Sequence, residues 1–294
     1  MDIFGVPTQA LFGQLLIGLI NGSFYALLSL GLAVIFGLLN IINFTHGAQY
    51  MMGAFVAYLL LNKLGIGYWW SLLLVPLLVG ATGMLIERTM LSRLYKLDHL
   101  YGLLLTFGLA LIIQGLFRNE YGSSGQPYRI PPELAGGQNL GFMFLPNYRA
   151  WVIVASFFIC LATWFVIERT KLGAYLRAAT ENPQLVQAFG VNVPRMITLT
   201  YGFGVGLAAL AGVMAAPIYQ VSPQMGADLI IVVFAVVVIG GMGSILGSVI
   251  TGFGLGIVEG LTKVFYPEAS NTVIFVVMAI VLLLKPAGLF GTQK

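Results

Sequence analysis

The run ALFGQLLIGLINGSFYALLSLGLAVIF, residues 10–36, decides what kind of fold this chain can adopt. It contains no Asp, Glu, Lys or Arg. An α-helix rises about 1.5 Å per residue, so about 20 mostly apolar residues cross the roughly 30 Å of hydrocarbon in a bilayer. The run therefore reads as a membrane-spanning helix. The stretch before it, Met1-Asp2-Ile3-Phe4, lacks the basic residues of a secretory signal. The first apolar segment is accordingly expected to remain in the mature protein.

Eight further apolar runs follow, at residues 47–61, 68–86, 101–117, 150–167, 197–216, 229–239, 245–261 and 272–284. About nine spans are predicted, within a range of eight to ten transmembrane helices. Several runs are short, so broken or re-entrant pieces are expected around residues 40–47 and 240–247. Backbone that is not helical at membrane depth survives only where protein or a polar cavity satisfies it. The fold class read from the pattern is an all-α polytopic membrane protein, with residues 1–294 forming a single transmembrane domain. Composition agrees. Of 294 residues, 59% are hydrophobic and 8% charged, against about 25% charged in soluble domains. The mean hydropathy is +0.95.

The net charge of +4 does not point to nucleic acid, because the basic residues are scattered among short loops. They act instead as topology signals, since Lys and Arg are retained on the cytoplasmic side. Residues 87–99 hold Arg88, Arg93 and Lys96, and residues 168–195 hold Arg169, Lys171, Arg177 and Arg195. Both loops are read as cytoplasmic, as are Lys285 and Lys294. Residues 118–149, rich in Gly and Pro, then face the periplasm. Lys63, between two spans, also falls on the periplasmic side, and Tyr68-Trp69-Trp70 suits an interfacial aromatic belt. Two helix exits echo one another: Ile86-Glu87-Arg88-Thr89 and Ile167-Glu168-Arg169-Thr170. The single cysteine, Cys160, excludes an intramolecular disulfide.

Three polar constellations interrupt the apolar pattern. In the first, Asn40, Asn43, Thr45, His46 and Gly47 stand between two spans. Polar groups there either line a pathway or satisfy the backbone freed by a broken helix. For His46, which has no second ligand or catalytic partner in view, the structural role is the simpler one. In the second, Asn182 suits an N-cap, Pro183 the first helical position and Gly190 the stop, giving a helix of about two turns. Leu185, Val186 and Phe189 are expected on one side of it. So short a helix is marginal alone, so it either lies on the bundle or docks on a partner. In the third, Gly240-Gly241-Met242-Gly243-Ser244-Ile245-Leu246-Gly247-Ser248 permits close packing or a turn.

Acids in the apolar runs are few. Asp228 reads as a helix-start carboxylate, and Glu259 with Lys263 as a helix-face ion pair. Neither resembles the mid-membrane charge that ion-coupled transporters use, which points to an external energy source. The chain has no Gly-x-x-x-x-Gly-Lys-[Ser/Thr] loop, no His-Glu-x-x-His and no Gly-x-Ser-x-Gly elbow, so it carries no nucleotide site or hydrolase signature of these kinds.

In order and spacing, Asn43-Phe44-Thr45-His46-Gly47 after Gly37, the 177–192 loop, Gly240-Gly241-Met242-Gly243-Ser244 and the closing Lys285-Pro286-Ala287-Gly288-Leu289-Phe290-Gly291 resemble the LivH-like permeases. These are membrane subunits of branched-chain amino acid ABC importers, and similar permeases serve urea, short amides or aromatic acids. The resemblance implies a complex in the bacterial inner membrane: a LivM-like second permease, two cytoplasmic ATPase subunits that use ATP, and a periplasmic solute-binding protein that delivers a small solute. No cofactor is implied on this chain itself. By the same resemblance residues 181–190, within a coupling loop at 169–195, would form the coupling helix. Arg177, Glu181, Asn182, Pro183, Leu185, Phe189 and Gly190 would be its working residues. Asn40, Asn43, Thr45, His46 and Gly47 would line the solute path. Two departures stand out: Thr45 occupies a position that is most often Ala, and Arg177-Ala178-Ala179 replaces the Glu-Ala-Ala of other ABC importers. A secondary transporter or channel would run without an ATPase, and a structural subunit would leave the 40–47 break without a purpose.

Overall fold

The computed structural model describes residues 2–3, 5–39 and 42–291, with the side chains of 5–37, 39 and 42–291. An antiparallel ribbon of β1 (Asp2–Ile3) and β2 (Val6–Pro7) leads into α1 (Thr8–Leu39), α2 (Thr45–Leu64), α3 (Tyr68–Thr89) and α4 (His99–Tyr121). A second ribbon, β3 (Gly137–Asn139) and β4 (Phe144–Pro146), precedes α5 (Asn147–Arg169). Then come α6 (Lys171–Glu181), α7 (Pro183–Ala188), α8 (Val193–Ala215), α9 (Met225–Gly240), α10 (Ile245–Phe265) and α11 (Val273–Leu284). Every apolar run becomes a helix, most of them longer than the run itself.

Six helices, α1, α3, α4, α5, α8 and α10, are long and apolar enough to cross a membrane. Helix α2 has the length, 20 residues, but His46, Gln49, Asn62 and Lys63 dilute its hydropathy. Helices α9 and α11, at 16 and 12 residues, rise only about 24 and 18 Å. Both rises are less than the roughly 30 Å of hydrocarbon in a bilayer.

Helix α1 is the axis of the molecule. Of its best apolar window 83% is buried, against 6% for α4, which lies at the periphery. The reason is close backbone approach. A Cβ on Gly18 would lie 2.3 Å from the Gly256 carbonyl oxygen, and one on Gly31 2.7 Å from that of Gly204. Lipid tails are as apolar as leucine, so helices in a bilayer associate through such contacts rather than through hydrophobic exclusion. Helix α10 packs antiparallel along α1, while α8 wedges between α1, α2 and α3.

The turn at 241–244 uses Gly241 (φ 100°) and Gly243 (φ 90°), conformations that L side chains rarely adopt. Ser244 then caps α10 by accepting from the Gly247 amide at 3.1 Å. The C-terminal segment covers the end of α9: the Leu289 and Phe290 amides donate to the Ile239 and Gly240 carbonyls at 2.8 and 3.1 Å. Four carbonyls at a helix end lack intrahelical partners, and Lys285-Pro286-Ala287-Gly288-Leu289-Phe290-Gly291 satisfies two of them.

The two ends of the bundle differ in charge. At one end Glu87, 2% exposed, accepts from Tyr95 Oη at 2.5 Å and Thr198 Oγ1 at 2.6 Å. This ties the end of α3, the turn at 90–98 and the start of α8. Burial, and then the bond to Glu87, raise the Tyr95 phenol above its ordinary range. Arg88, Arg93, Lys96, Arg169, Lys171, Arg177 and Arg195 stand on the loops and helix ends at this end of the bundle. At the other end Phe142 packs on Phe12 with ring centres 4.9 Å apart. Gln126 there bridges to Val221 and accepts from Tyr58 at 3.3 Å. A cysteine introduced at Ser123 or Gln138, both exposed here, should react with an impermeant thiol reagent in intact spheroplasts. The native Cys160 is 1% exposed inside α5 and gives no background. Labelling only after membrane disruption would invert the orientation.

Candidate functional site

Asn40 lies outside the described residues. The remaining members of the break are placed together and sealed. Asn43, Thr45, His46 and Gln49 are each 0% exposed. Asn43 Nδ2 donates to Gln49 Oε1 at 3.1 Å, and Thr45 Oγ1 donates to Asn43 Oδ1. The Phe44 amide donates to Thr106 Oγ1 of α4 at 3.2 Å, and that hydroxyl also lies 3.2 Å from the Ile42 carbonyl. His46 Nε2 carries the proton that binds the Leu28 carbonyl of α1 at 3.0 Å. Gly47 meets α9, where a Cβ on Gly226 would stand 1.9 Å from the Gly47 carbonyl oxygen. Among the described residues, His46 Nδ1 has no hydrogen-bond partner, and the Tyr201 hydroxyl lies beside Thr45 and Gln49. Unpaired buried polar groups are costly, so these residues hold one another in place around the break.

On α2, one residue beyond Gln49, Tyr50 opens onto a cavity of about 360 Å³ lined by α1, α2, α9 and the segment before α9. Its polar wall comprises Asn21, Tyr25, Tyr50, Tyr219, Gln220, Ser222 and Asp228; Phe24, Met225 and Leu229 supply apolar surface. Behind the wall Glu259 of α10, 5% exposed, accepts from Tyr25 Oη at 2.7 Å, Asn21 Nδ2 at 3.2 Å and Lys263 Nζ at 2.5 Å. Tyr219 Oη in turn donates to Asn21 Oδ1 at 2.7 Å. The volume is in the range of small-molecule sites, and so is the mixture of aromatic surface with a few fixed polar groups.

The loop at 169–195 contains two helices, where one is read from the sequence. Helix α6 folds back along the end of α5, with Arg177 Nη1 donating to the Ile167 carbonyl at 2.9 Å and to Glu168 at 3.4 Å. Arg177 and Glu181 therefore belong to α6 and not to the short helix. Asn182 caps α7 by accepting from the Leu185 amide at 2.9 Å, Pro183 opens it, and Gly190 (φ 84°) follows its end. The three apolar residues do not share a face: Val186 is 7% exposed and packs inward, while Leu185 and Phe189 are 54% and 79% exposed.

Residues 14–282 match the family of branched-chain amino acid transport system permease components. This chain belongs to that permease family. Among its relatives, the high-affinity branched-chain amino acid transport permease LivH of Escherichia coli K12 is 30% identical, over 96% of each chain. BraD of Pseudomonas aeruginosa, with the same description, is 29% identical over 96% of each chain. LivM of Escherichia coli K12 is 28% identical over 92% of this chain and 68% of its own. No solved structure matches the chain. The permease is thus a multi-pass membrane protein and the non-enzymatic transport component of its system.

The cavity is the part of the permease that sequence reasoning missed. Asp228 was legible only as a helix-start carboxylate, yet α9 has no side-chain cap and Asp228 faces the cavity. The helix-face ion pair of Glu259 with Lys263 is present, and its burial beneath Tyr25 and Asn21 also makes Glu259 the anchor of the wall. One signal was present: Asn21, Tyr25 and Glu259 are polar residues inside long apolar runs, where each needs a partner.

Proposed function

We propose that this permease carries branched-chain amino acids across the cytoplasmic membrane as one half of the transmembrane unit of an ABC importer. A LivM-like permease would be the other half. Two cytoplasmic ATPase subunits would supply the work of ATP hydrolysis, and a periplasmic solute-binding protein would hand over the solute. The observation that carries this reading is the cavity placed directly beside the sealed 42–49 cluster. In this reading solute enters the cavity from the periplasmic end, and Asn43, Thr45, His46 and Gly47 form the closed gate beneath it. Tyr50 belongs to the cavity while Gln49 belongs to the gate, so a shift of α2 along α8 and α9 would open one onto the other. The relatives LivH and BraD, branched-chain amino acid permeases, support the solute class.

Energy must reach that gate mechanically. Leu185 and Phe189 project from the cytoplasmic end on a capped helix of one and a half turns, too short to be stable unless docked. They would fill a groove of one ATPase, with Glu181 and Arg177 beside it. Helix α8, which follows α7 after four residues, would pass the motion to α2 and α3. Phe189→Ala is expected to lower ATPase retention and binding-protein-stimulated hydrolysis at least tenfold. Truncating a buried Phe costs about 3–5 kcal/mol, and an exposed one in the free subunit costs the fold little. Copurification and hydrolysis assays on the Phe189→Ala complex check this. Wild-type values in both would reduce α7 to a loop.

A further inference from the structure

The cavity beside α9 has a hydrogen-bond polarity that its own anchor dictates. Glu259 pairs with Lys263 at 2.5 Å, and its carboxylate oxygens accept from the groups around it. Tyr25 must therefore donate to it, and Asn21 must turn its amide nitrogen toward it. Asn21 then presents its oxygen to Tyr219, which must also donate. The protons of both tyrosine hydroxyls are thus directed into the wall, and what they offer the cavity is oxygen lone pairs and ring faces. Tyr50, 1% exposed, also lines the cavity and makes no hydrogen bond among the described residues. Asp228 completes the wall with a carboxylate that forms no ion pair or hydrogen bond among the described residues. No Lys, Arg or His lines the cavity. The nearby cations do not change this, because Lys263 is bound to Glu259 and Arg149, which acts on Tyr219 electrostatically, is not in the lining.

We propose that this cavity binds the ammonium group of the solute, with Asp228 as its anionic partner and the faces of Phe24, Tyr25, Tyr50 and Tyr219 around it. A cation over aromatic rings, beside a carboxylate and acceptor oxygens, is the charge that such a wall stabilises. A carboxylate solute without an amine meets repulsion at Asp228 and finds donors only on Tyr50, Gln220 and Ser222, not on Tyr25 or Tyr219. Asp228 is thus a specificity residue that separates amino acids from simple aromatic or aliphatic acids. The proposal rests on the reading that solute passes through this permease.

The test is thermal melting of the purified membrane complex, without the binding protein, against three probes of similar shape: leucine, 3-methylbutylamine and 4-methylpentanoate. Leucine and the amine should raise the melting temperature, and 4-methylpentanoate should not at the same concentrations. In Asp228→Asn the amine concentration for half-maximal effect should rise at least tenfold, and Asp228→Glu should recover most of the loss. An acid that stabilises as well as the amine, an Asp228→Asn complex that titrates like wild type, or no amine effect in wild type would each overturn the site. ATP-driven leucine uptake by the same preparations, reconstituted in proteoliposomes with the binding protein added, separates the two readings. If uptake is absent in wild type while the amine effect persists and depends on Asp228, the transport reading fails and the site stands. If uptake is unchanged in Asp228→Asn, the site fails and the transport reading stands.

Discussion

Gly256→Leu should leave almost no folded permease in the membrane, while Gly254→Leu on the same helix should be recovered like wild type. A Cβ at position 256 would lie 2.3 Å from the Gly18 carbonyl oxygen and 2.4 Å from the Gly22 Cα, both backbone atoms of α1. Backbone in the middle of a helix cannot step aside. Helix α10 would have to lift from α1 along the most extensive helix pair in the molecule. Overpacking a well-packed core costs about 1–3 kcal/mol when side chains can adjust. A clash of main chain against main chain exceeds that, against a total stability of about 5–15 kcal/mol. It would also displace Glu259 and with it the cavity wall. At Gly254 nothing lies within 4 Å of an added Cβ, so the added side chain meets open surface. Fluorescence-detected size exclusion of tagged protein reads the difference directly. A monodisperse Gly256→Leu peak at wild-type yield would contradict this account of α1 and α10.

Asn43→Leu should abolish solute uptake without preventing assembly of the complex. The side chain holds Gln49 through its amide and Thr45 through its carbonyl, so the substitution orphans both at positions that are 0% exposed. Each orphaned group costs about 1–3 kcal/mol in a water-soluble core. Measured values for polar pairs within membranes average nearer 0.6 kcal/mol, which favours the lower figure here. A loss of about 1–2 kcal/mol leaves most of the protein folded. Leucine would, however, replace the polar face that a zwitterion needs at the proposed gate. Uptake in proteoliposomes, normalised to assembled complex, checks the outcome, and normal uptake would show that the 42–49 cluster only mends the helix break.

The helices were readable because the bilayer imposes length and apolarity together, and nine runs met both demands in part. Their ends were less so. Helix α4 starts at a cap, Asp98 accepting from the Leu100 amide at 2.8 Å, and runs on to Tyr121 through polar residues that periodicity alone excludes. Helix α6 was hidden because its apolar residues, Leu172 and Leu176 among them, alternate with charges and fall below any spanning criterion. Its register depends on Arg177 reaching the end of α5, a tertiary contact. The 42–47 cluster was visible as polar density, and its sealing by Leu28, Thr106 and Gly226 was not. The cavity was least visible. Its wall joins Asn21 to Glu259 across 238 residues of sequence, and a lone carboxylate such as Asp228 has a local explanation until the fold supplies another. The glycines at the helix contacts, Gly18 with Gly256 or Gly31 with Gly204, gave no sign in the sequence of the partner each meets.

The central claim is that this permease moves solute only under ATP hydrolysis by partner subunits. Proteoliposomes holding the complete complex should be loaded with ATP and given binding protein and radiolabelled leucine outside. Accumulation above the external concentration is predicted with ATP inside, and none with a non-hydrolysable analogue or with this permease omitted. Leucine accumulation that needs no ATP and follows an imposed proton or sodium gradient would contradict it.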